Sequence, residues 1–252
     1  MTMKKIVLAN LKAYRSPRLV GEWCDALLSA LGKTPDTLEV VLALPDMALG
    51  DAADKIGGHA GFSLAAQALS PFPQGSYTGA TPAAWLKGCR LWSKNLPKPC
   101  YTGATPAAWL KGLVRYTLAG HRERRCYFHE SVQDVAREVA EALDEAIRPI
   151  VCVESGTFAP QLAALRREEQ EQVFWAFTPR VTMPLQKEDL ETIAKSVAHI
   201  RRQSDDRPVL YGGGVHAGNA RSIWAIEGLG GLMLGEACHN ASAFARIVES
   251  LG

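Results

Sequence analysis

No stretch of this chain approaches the apolar length of a membrane span, and neither sign of charge dominates. Its 252 residues carry 28 Lys+Arg against 26 Asp+Glu, a formal net charge of +2, with the two signs interspersed. Such a balance has no electrostatic footprint for nucleic acid or an anionic membrane, so neither is expected as a partner. The opening Met1-Thr-Met-Lys-Lys-Ile-Val-Leu-Ala-Asn10 places basic residues before an apolar run of four, too short for the core of a secretory signal. Cysteine is sparse as well. The six, at 24, 89, 100, 126, 152 and 238, show neither zinc spacing nor a dense disulfide framework, which points to a reducing cytoplasm. A Cys89–Cys100 bridge is conceivable under oxidation, with two free thiols as the reading for the cytoplasm. No metal and no cofactor is expected.

What is present is a large apolar fraction, 47% of residues, in a chain of the length an α/β barrel uses, about 250 residues. Short β-rich runs at Lys5–Ala9, Leu38–Ala43, Gly61–Ala66, Val114–Leu118, Pro149–Val153, Val173–Phe177, Pro208–Tyr211 and Gly231–Leu234 read as strands. Amphipathic segments lie between them, among them Arg18–Leu31, Val132–Ile147, Glu188–Arg202 and Ala241–Leu251. In the second of these, Val135, Val139 and Leu143 mark the buried face, and Glu141, Asp144 and Glu145 the solvent face. Eight β-then-α units predict an α/β chain of one domain over residues 1–252, a closed (β/α)8 barrel rather than an open sheet. In that architecture chemistry collects just after the strands.

One feature interrupts the alternation. Tyr77-Thr-Gly-Ala-Thr-Pro-Ala-Ala-Trp-Leu-Lys-Gly88 recurs identically at Tyr101–Gly112, displaced by 24 residues. Two copies are too few for a solenoid and read as a tandem duplication of the third helix. Thr81-Pro82 and Thr105-Pro106 each resemble an N-cap followed by proline at the first helical position. The expectation is that Thr81–Gly88 packs as that helix and that about 89–112 form a surface insertion.

The stretch Tyr116-Thr-Leu-Ala-Gly-His-Arg-Glu-Arg-Arg125 sets a histidine on the loop after a buried strand, where such folds keep their catalytic groups. It resembles the histidine loop of triosephosphate isomerases. Asn10-Leu11-Lys12 is similar to that family's Asn-x-Lys motif, and Ser70-Pro-Phe-Pro-Gln-Gly-Ser-Tyr-Thr-Gly79 to its third loop. Tyr211-Gly-Gly-Gly-Val215 resembles its phosphate turn and Gly230-Gly-Leu-Met-Leu-Gly235 its last strand. These motifs run in the family's order across nearly the whole chain.

The resemblance implies interconversion of dihydroxyacetone phosphate and glyceraldehyde 3-phosphate, with no cofactor. His121 would be the electrophile that polarises the carbonyl, Lys12 the substrate-holding cation, and Asn10 the residue orienting both. Glu123 matches a motif position where it could pair with Lys12; a surface ion pair with Arg124 or Arg125 is the alternative. Gly212, Gly213, Gly214 and Gly235 would offer amides to phosphate. The family forms dimers through its third loop, so a homodimer through residues 70–79 is implied, with a small phosphorylated sugar as ligand.

The base departs from the pattern. Where the family reads Ala-Tyr-Glu-Pro, this chain reads Ala176-Phe-Thr-Pro179, so Thr178 occupies the glutamate's place. An alignment shifted onto Trp175-Ala176 puts Gln172 there instead, and Glu171 is expected to face the far end of the barrel. Arg180-Val-Thr-Met-Pro184 is shorter than the family's lid, Gly214 replaces a serine, and Glu236 stands where a second glycine is expected. Three readings follow: an impaired isomerase, in which another carboxylate such as Glu154 takes over; a non-catalytic binding or structural homologue; and an isomerase of another sugar phosphate.

Overall fold

The computed structural model describes residues 4–72, 110–179 and 187–252. Within them eight parallel strands close into a barrel in chain order. They are β1 (Lys5–Asn10), β2 (Leu38–Leu44), β3 (Phe62–Ala66), β4 (Tyr116–Ala119), β5 (Arg148–Val153), β6 (Phe174–Phe177), β7 (Val209–Tyr211) and β8 (Leu229–Leu234). The ring closes through β8 on β1, where Ile6 to Ala9 align with Gly231 to Leu234. Helices at Pro17–Leu31, Asp46–Ile56, Val132–Asp144, Lys187–Gln203 and Ala241–Leu251 alternate with the strands. All eight β-rich runs are strands, with ends displaced by a residue or two. The late start of β4 has a visible cause: the amides of Leu113 and Val114 both donate to Leu110 O, so a turn delays the strand to Tyr116.

Strand periodicity sorts the core into two layers. Ile6 and Leu8 of β1, Ile150 and Cys152 of β5, and Phe174 and Ala176 of β6 fill the barrel interior. Val7 and Ala9, Val151 and Val153, and Trp175 and Phe177 face outward into the layer beneath the helices. The same alternation, carried one step further, turns Asn10, Gln67, Glu154, Thr178, Gly212 and Gly235 toward the mouth at the carboxyl ends.

The expected insertion at about 89–112, and with it Cys89 and Cys100, lies outside the described residues as far as 109. Of its last three residues, Leu110 is fully buried against the core. The helix Val132–Asp144 starts on a capping box made by Ser131 and Asp134. Val135 and Val139 are buried as expected, but so is Glu138, only 1% exposed. Its carboxyl faces Glu130, which pairs with Arg124 at 2.6 Å. Burial, reinforced by the neighbouring Glu130, pushes the Glu138 pKa well above the usual carboxylate range. Among the described residues, no helix is long and apolar enough to cross a membrane.

Candidate active site at the carboxyl ends of the strands

The barrel mouth holds a cavity of about 670 Å³ lined by Asn10, Lys12, His121, Gly212, Gly214, His216, Gly235 and Glu236, among others. A smaller one, about 240 Å³, adjoins it along Lys12, His121, Arg122, Glu123, Thr178 and Gly212. Residues drawn from β1, β4, β6, β7 and β8 thus meet in one place, although they span more than two hundred positions of sequence. Of the sequence-derived candidates, Glu154, Glu171 and Gln172 line neither cavity, and nor does Gly213. Gly213 is buried behind the turn, where a Cβ would come within 2.5 Å of Tyr211 Oη and 2.8 Å of Pro179 Cγ.

Lys12 adopts a left-handed backbone, φ 48°, which a lysine takes up only when its surroundings enforce it. Two side chains do so. The Lys12 N–H donates to Asn10 Oδ1 at 3.2 Å. Gln67, just beyond β3, donates its amide to the same oxygen at 3.2 Å and to Ala43 O at 3.0 Å. The ammonium so aimed lies 2.5 Å from Glu123 Oε1. Glu123 therefore reaches Lys12, while Arg124 pairs with Glu130 and Arg125 donates to Gly120 O and Gln161 Oε1, each at 2.8 Å.

His121 opens the short helix Arg122–Tyr127, and its Nδ1 accepts the Glu123 N–H at 3.4 Å. With Nδ1 an acceptor, the neutral ring carries its proton on Nε2, which becomes the donor available to a ligand. Burial pushes the imidazole pKa below the ordinary histidine range, opposed by the charge of Glu123. A neutral Nε2–H donor beside an ammonium can polarise a carbonyl oxygen and stabilise an oxyanion as it develops. Among the described residues, no cluster of three or more His, Cys, Asp or Glu could hold a metal ion.

The glycine turn after β7 is shaped by Gly214, at φ 58°, and by Asn219, whose side chain accepts from His216 N–H and donates to Gly214 O. Comparison with known proteins covers this whole framework. The family description "Triosephosphate isomerase" matches residues 5–92 and 95–251. The chain belongs to the triosephosphate isomerase family. The relative from Oleidesulfovibrio alaskensis is 27% identical, over 98% of this chain and 99% of its own. That from Trichodesmium erythraeum is 28% identical, over 98% of each. Both carry the family's name. The crystal structure of triosephosphate isomerase from Bartonella henselae superimposes with a TM-score of 0.75 at 21% identity, over 98% of this chain and all of that one, a likeness of fold.

In this member of the triosephosphate isomerase family the sixth strand leads directly to Thr178. Thr178 is buried at the mouth, and its hydroxyl donates to Val153 O at 3.3 Å. A hydroxyl spent on a backbone carbonyl takes no proton from carbon. Gln172 and Glu171 are at the other end of the barrel, beside Arg148 and Arg207 in a separate cavity. Glu236 is exposed and lines the mouth alongside Lys12. Lid residues 180–186 lie outside the described residues.

Two contributors escaped the motif reading. Gln67 fixes Asn10 and Lys12 by three hydrogen bonds, and its only sequence signal was a polar residue one step after a strand. His216 lines the cavity two residues beyond the glycine turn.

Proposed function

We propose that this protein acts on a small phosphorylated sugar by aldose–ketose isomerisation of the dihydroxyacetone phosphate and glyceraldehyde 3-phosphate type, more slowly than a family member with glutamate on the sixth strand. The observation that carries the reading is the convergence of the Nε2–H face of His121 and the Lys12 ammonium on one cavity. In the proposal His121 polarises the carbonyl, Lys12 holds the anionic substrate, and Asn10 and Glu123 fix the position of Lys12. Gly212, Gly214 and Gly235 form the phosphate end of the site, with Gly213 supporting the turn from behind. The family is the usual illustration of a glutamate base set against a neutral histidine. Thr178 cannot supply that base, and losing a positioned general base costs about 10²–10⁴ in rate. The exposed Glu236 can swing away from a bound phosphate, so it does not bar an anionic ligand.

The rest of the proposal concerns the whole molecule: one domain over residues 1–252 with an insertion at about 89–112, cytoplasmic, working as a homodimer. Supporting the dimer, Tyr14, Met47, Phe72, Tyr127 and Phe128 are 39–77% exposed, and all follow the carboxyl ends of four successive strands, β1 to β4. The expected contact segment 70–79 begins at that face; its residues from 73 on lie outside the described residues.

A coupled assay with both triose phosphates, run beside calorimetry, tests the reading. Turnover above the buffer rate with saturable binding is expected. Binding without turnover would leave a sugar-phosphate-binding protein, and absence of both a structural one.

A further inference from the structure

The strand next to Thr178 carries a carboxylate at the same level. Strands β5 and β6 run parallel with Val153 opposite Phe177, so Glu154 stands opposite Thr178. The Thr178 N–H confirms the alignment by donating to Val153 O at 2.9 Å. Inward-facing residues of β5 are Ile150 and Cys152, which makes residue 154 the next inward position. On β6 the same count, Phe174 then Ala176, reaches Thr178.

Barrel order puts β5 between β4, whose following loop carries His121, and β6. Glu154 therefore follows the strand that lies between the one leading to His121 and the one leading to Thr178. Its backbone is pinned. Its N–H is 2.8 Å from Thr157 Oγ1, and its carbonyl accepts the amides of Thr157 and Phe158 at 3.0 and 3.1 Å. Its side chain is 21% exposed, with Oε1 3.7 Å from Nε of Arg122, which itself lines the smaller cavity with Thr178. The rival carboxylates are worse placed. Glu123 is 2.5 Å from the Lys12 ammonium, and Glu236 is exposed on the far side of the ring, after β8. Glu171 is at the other end of the barrel.

We infer that Glu154 is the catalytic residue that removes the carbon-bound proton, the base function having moved one strand round the barrel from β6 to β5. This rests on the isomerase reading above. In the step, a Glu154 oxygen takes the proton from the carbon beside the carbonyl. The C–H electron pair becomes the second bond of the enediolate, and the charge reaching the carbonyl oxygen is met by the Nε2–H of His121. The protonated carboxyl then returns the proton to the adjacent carbon while the hydroxyl proton passes from one enediolate oxygen to the other across the His121 imidazole, so that nothing is gained or lost overall. Arg122, paired with the same carboxylate, would act as a positioning residue that limits its swing.

Two measurements on the full-length protein test this. The first needs no turnover. Chloroacetol phosphate, an α-halo ketone, presents an electrophilic carbon where the reacting carbon of the substrate would lie. A carboxylate facing that carbon forms an ester and expels chloride, and peptide mass spectrometry locates it. Labelling at Glu154, blocked by inorganic phosphate, is expected; labelling elsewhere, or none, overturns the assignment. In the second, Glu154→Gln lowers kcat about 10²-fold with KM changed less than threefold, and Glu154→Asp recovers part of the loss. Turnover of E154Q at the wild-type rate overturns the assignment whatever the label shows. Labelling at Glu154 in a protein without any turnover removes the isomerase reading but supports the placement of the carboxylate.

Discussion

Lys12 Nζ and Glu123 Oε1 stand 2.5 Å apart across 111 residues of sequence, joining the loop after β1 to the loop after β4. The two side chains are 28% and 42% exposed, so solvent screens the pair and its share of folding stability is small, about 0–1 kcal/mol. Its effect lies in aiming the ammonium. Glu123→Gln is expected to lower kcat/KM for triose phosphate by roughly 10–10²-fold, since a misplaced group costs on that order. The melting temperature should fall by no more than about 3 °C. A variant that melts much earlier yet turns over normally once folded would reverse the assignment from positioning to stability.

The imidazole of His121 gives a pH signature. Burial lowers its folded pKa, with Glu123 opposing, so the fold favours the neutral ring. A group of this kind contributes fully above its unfolded pKa, about 6.5, and its contribution is lost as pH falls from there toward the folded value. Wild type should therefore lose stability relative to His121→Gln between pH 7 and pH 5. Nitrogen-resolved NMR should show a neutral ring with its proton on Nε2 at pH 6.5. An imidazolium at that pH would contradict the assigned role.

The barrel was legible because its signal is repeated: eight apolar runs at regular spacing leave few other closures, and each was found within two residues. The site was legible where a motif is short and local, as in Asn10-Leu-Lys12 and the His121 loop. Gln67 was not, because its meaning comes from three hydrogen bonds, to Asn10, Lys12 and Ala43, which no pattern in its own neighbourhood encodes. Glu138 was misread by omission. It lies on a helix whose other acids mark the outer face, and only packing against the Glu130 segment reveals that it is inside. Glu154 was visible as a carboxylate after a strand, but its alignment with Thr178 needed the β5–β6 register.

That buried acid predicts a stability change of unusual sign. Burial, with Glu130 adding, raises the Glu138 pKa in the folded protein, so the carboxyl holds its proton to higher pH there than in the unfolded chain, which ionises at about pH 4.3. Stability is then lost as pH rises from the unfolded value through the folded one. Glu138→Gln, which cannot ionise, should gain on wild type across that window. A urea midpoint higher than wild type at pH 8, and a smaller difference at pH 4.5, is expected. Equal differences at the two pH values would mean that the fold does not raise the Glu138 pKa.

Gly213 is tested by a single methyl. A Cβ there would meet Tyr211 Oη at 2.5 Å and Pro179 Cγ at 2.8 Å, with no flexible chain end to give way. Gly213→Ala should cost about 1–3 kcal/mol through overpacking and should displace the turn carrying Gly212 and Gly214. Chemical denaturation gives the first quantity, and the affinity for inorganic phosphate reports the second. Unchanged phosphate affinity alongside lost stability would confine Gly213 to a structural part.

Thr178→Glu would place a carboxylate just after the sixth strand, beside Gly212, which has no side chain to obstruct it. In isolation that restores a general base, a change of about 10²–10⁴ in kcat. Glu154 complicates the outcome, since it stands opposite on the paired strand. Two carboxylates abreast disfavour joint ionisation, and they would compete for one carbon. The gain from Thr178→Glu should therefore be smaller in wild type than in the Glu154→Gln background, where no base remains and no charge opposes the new one. The four proteins form a double-mutant cycle whose coupling is read in kcat, and the prediction is a strongly non-additive one. Equal gains in both backgrounds would show that residues 154 and 178 do not face the same reacting carbon.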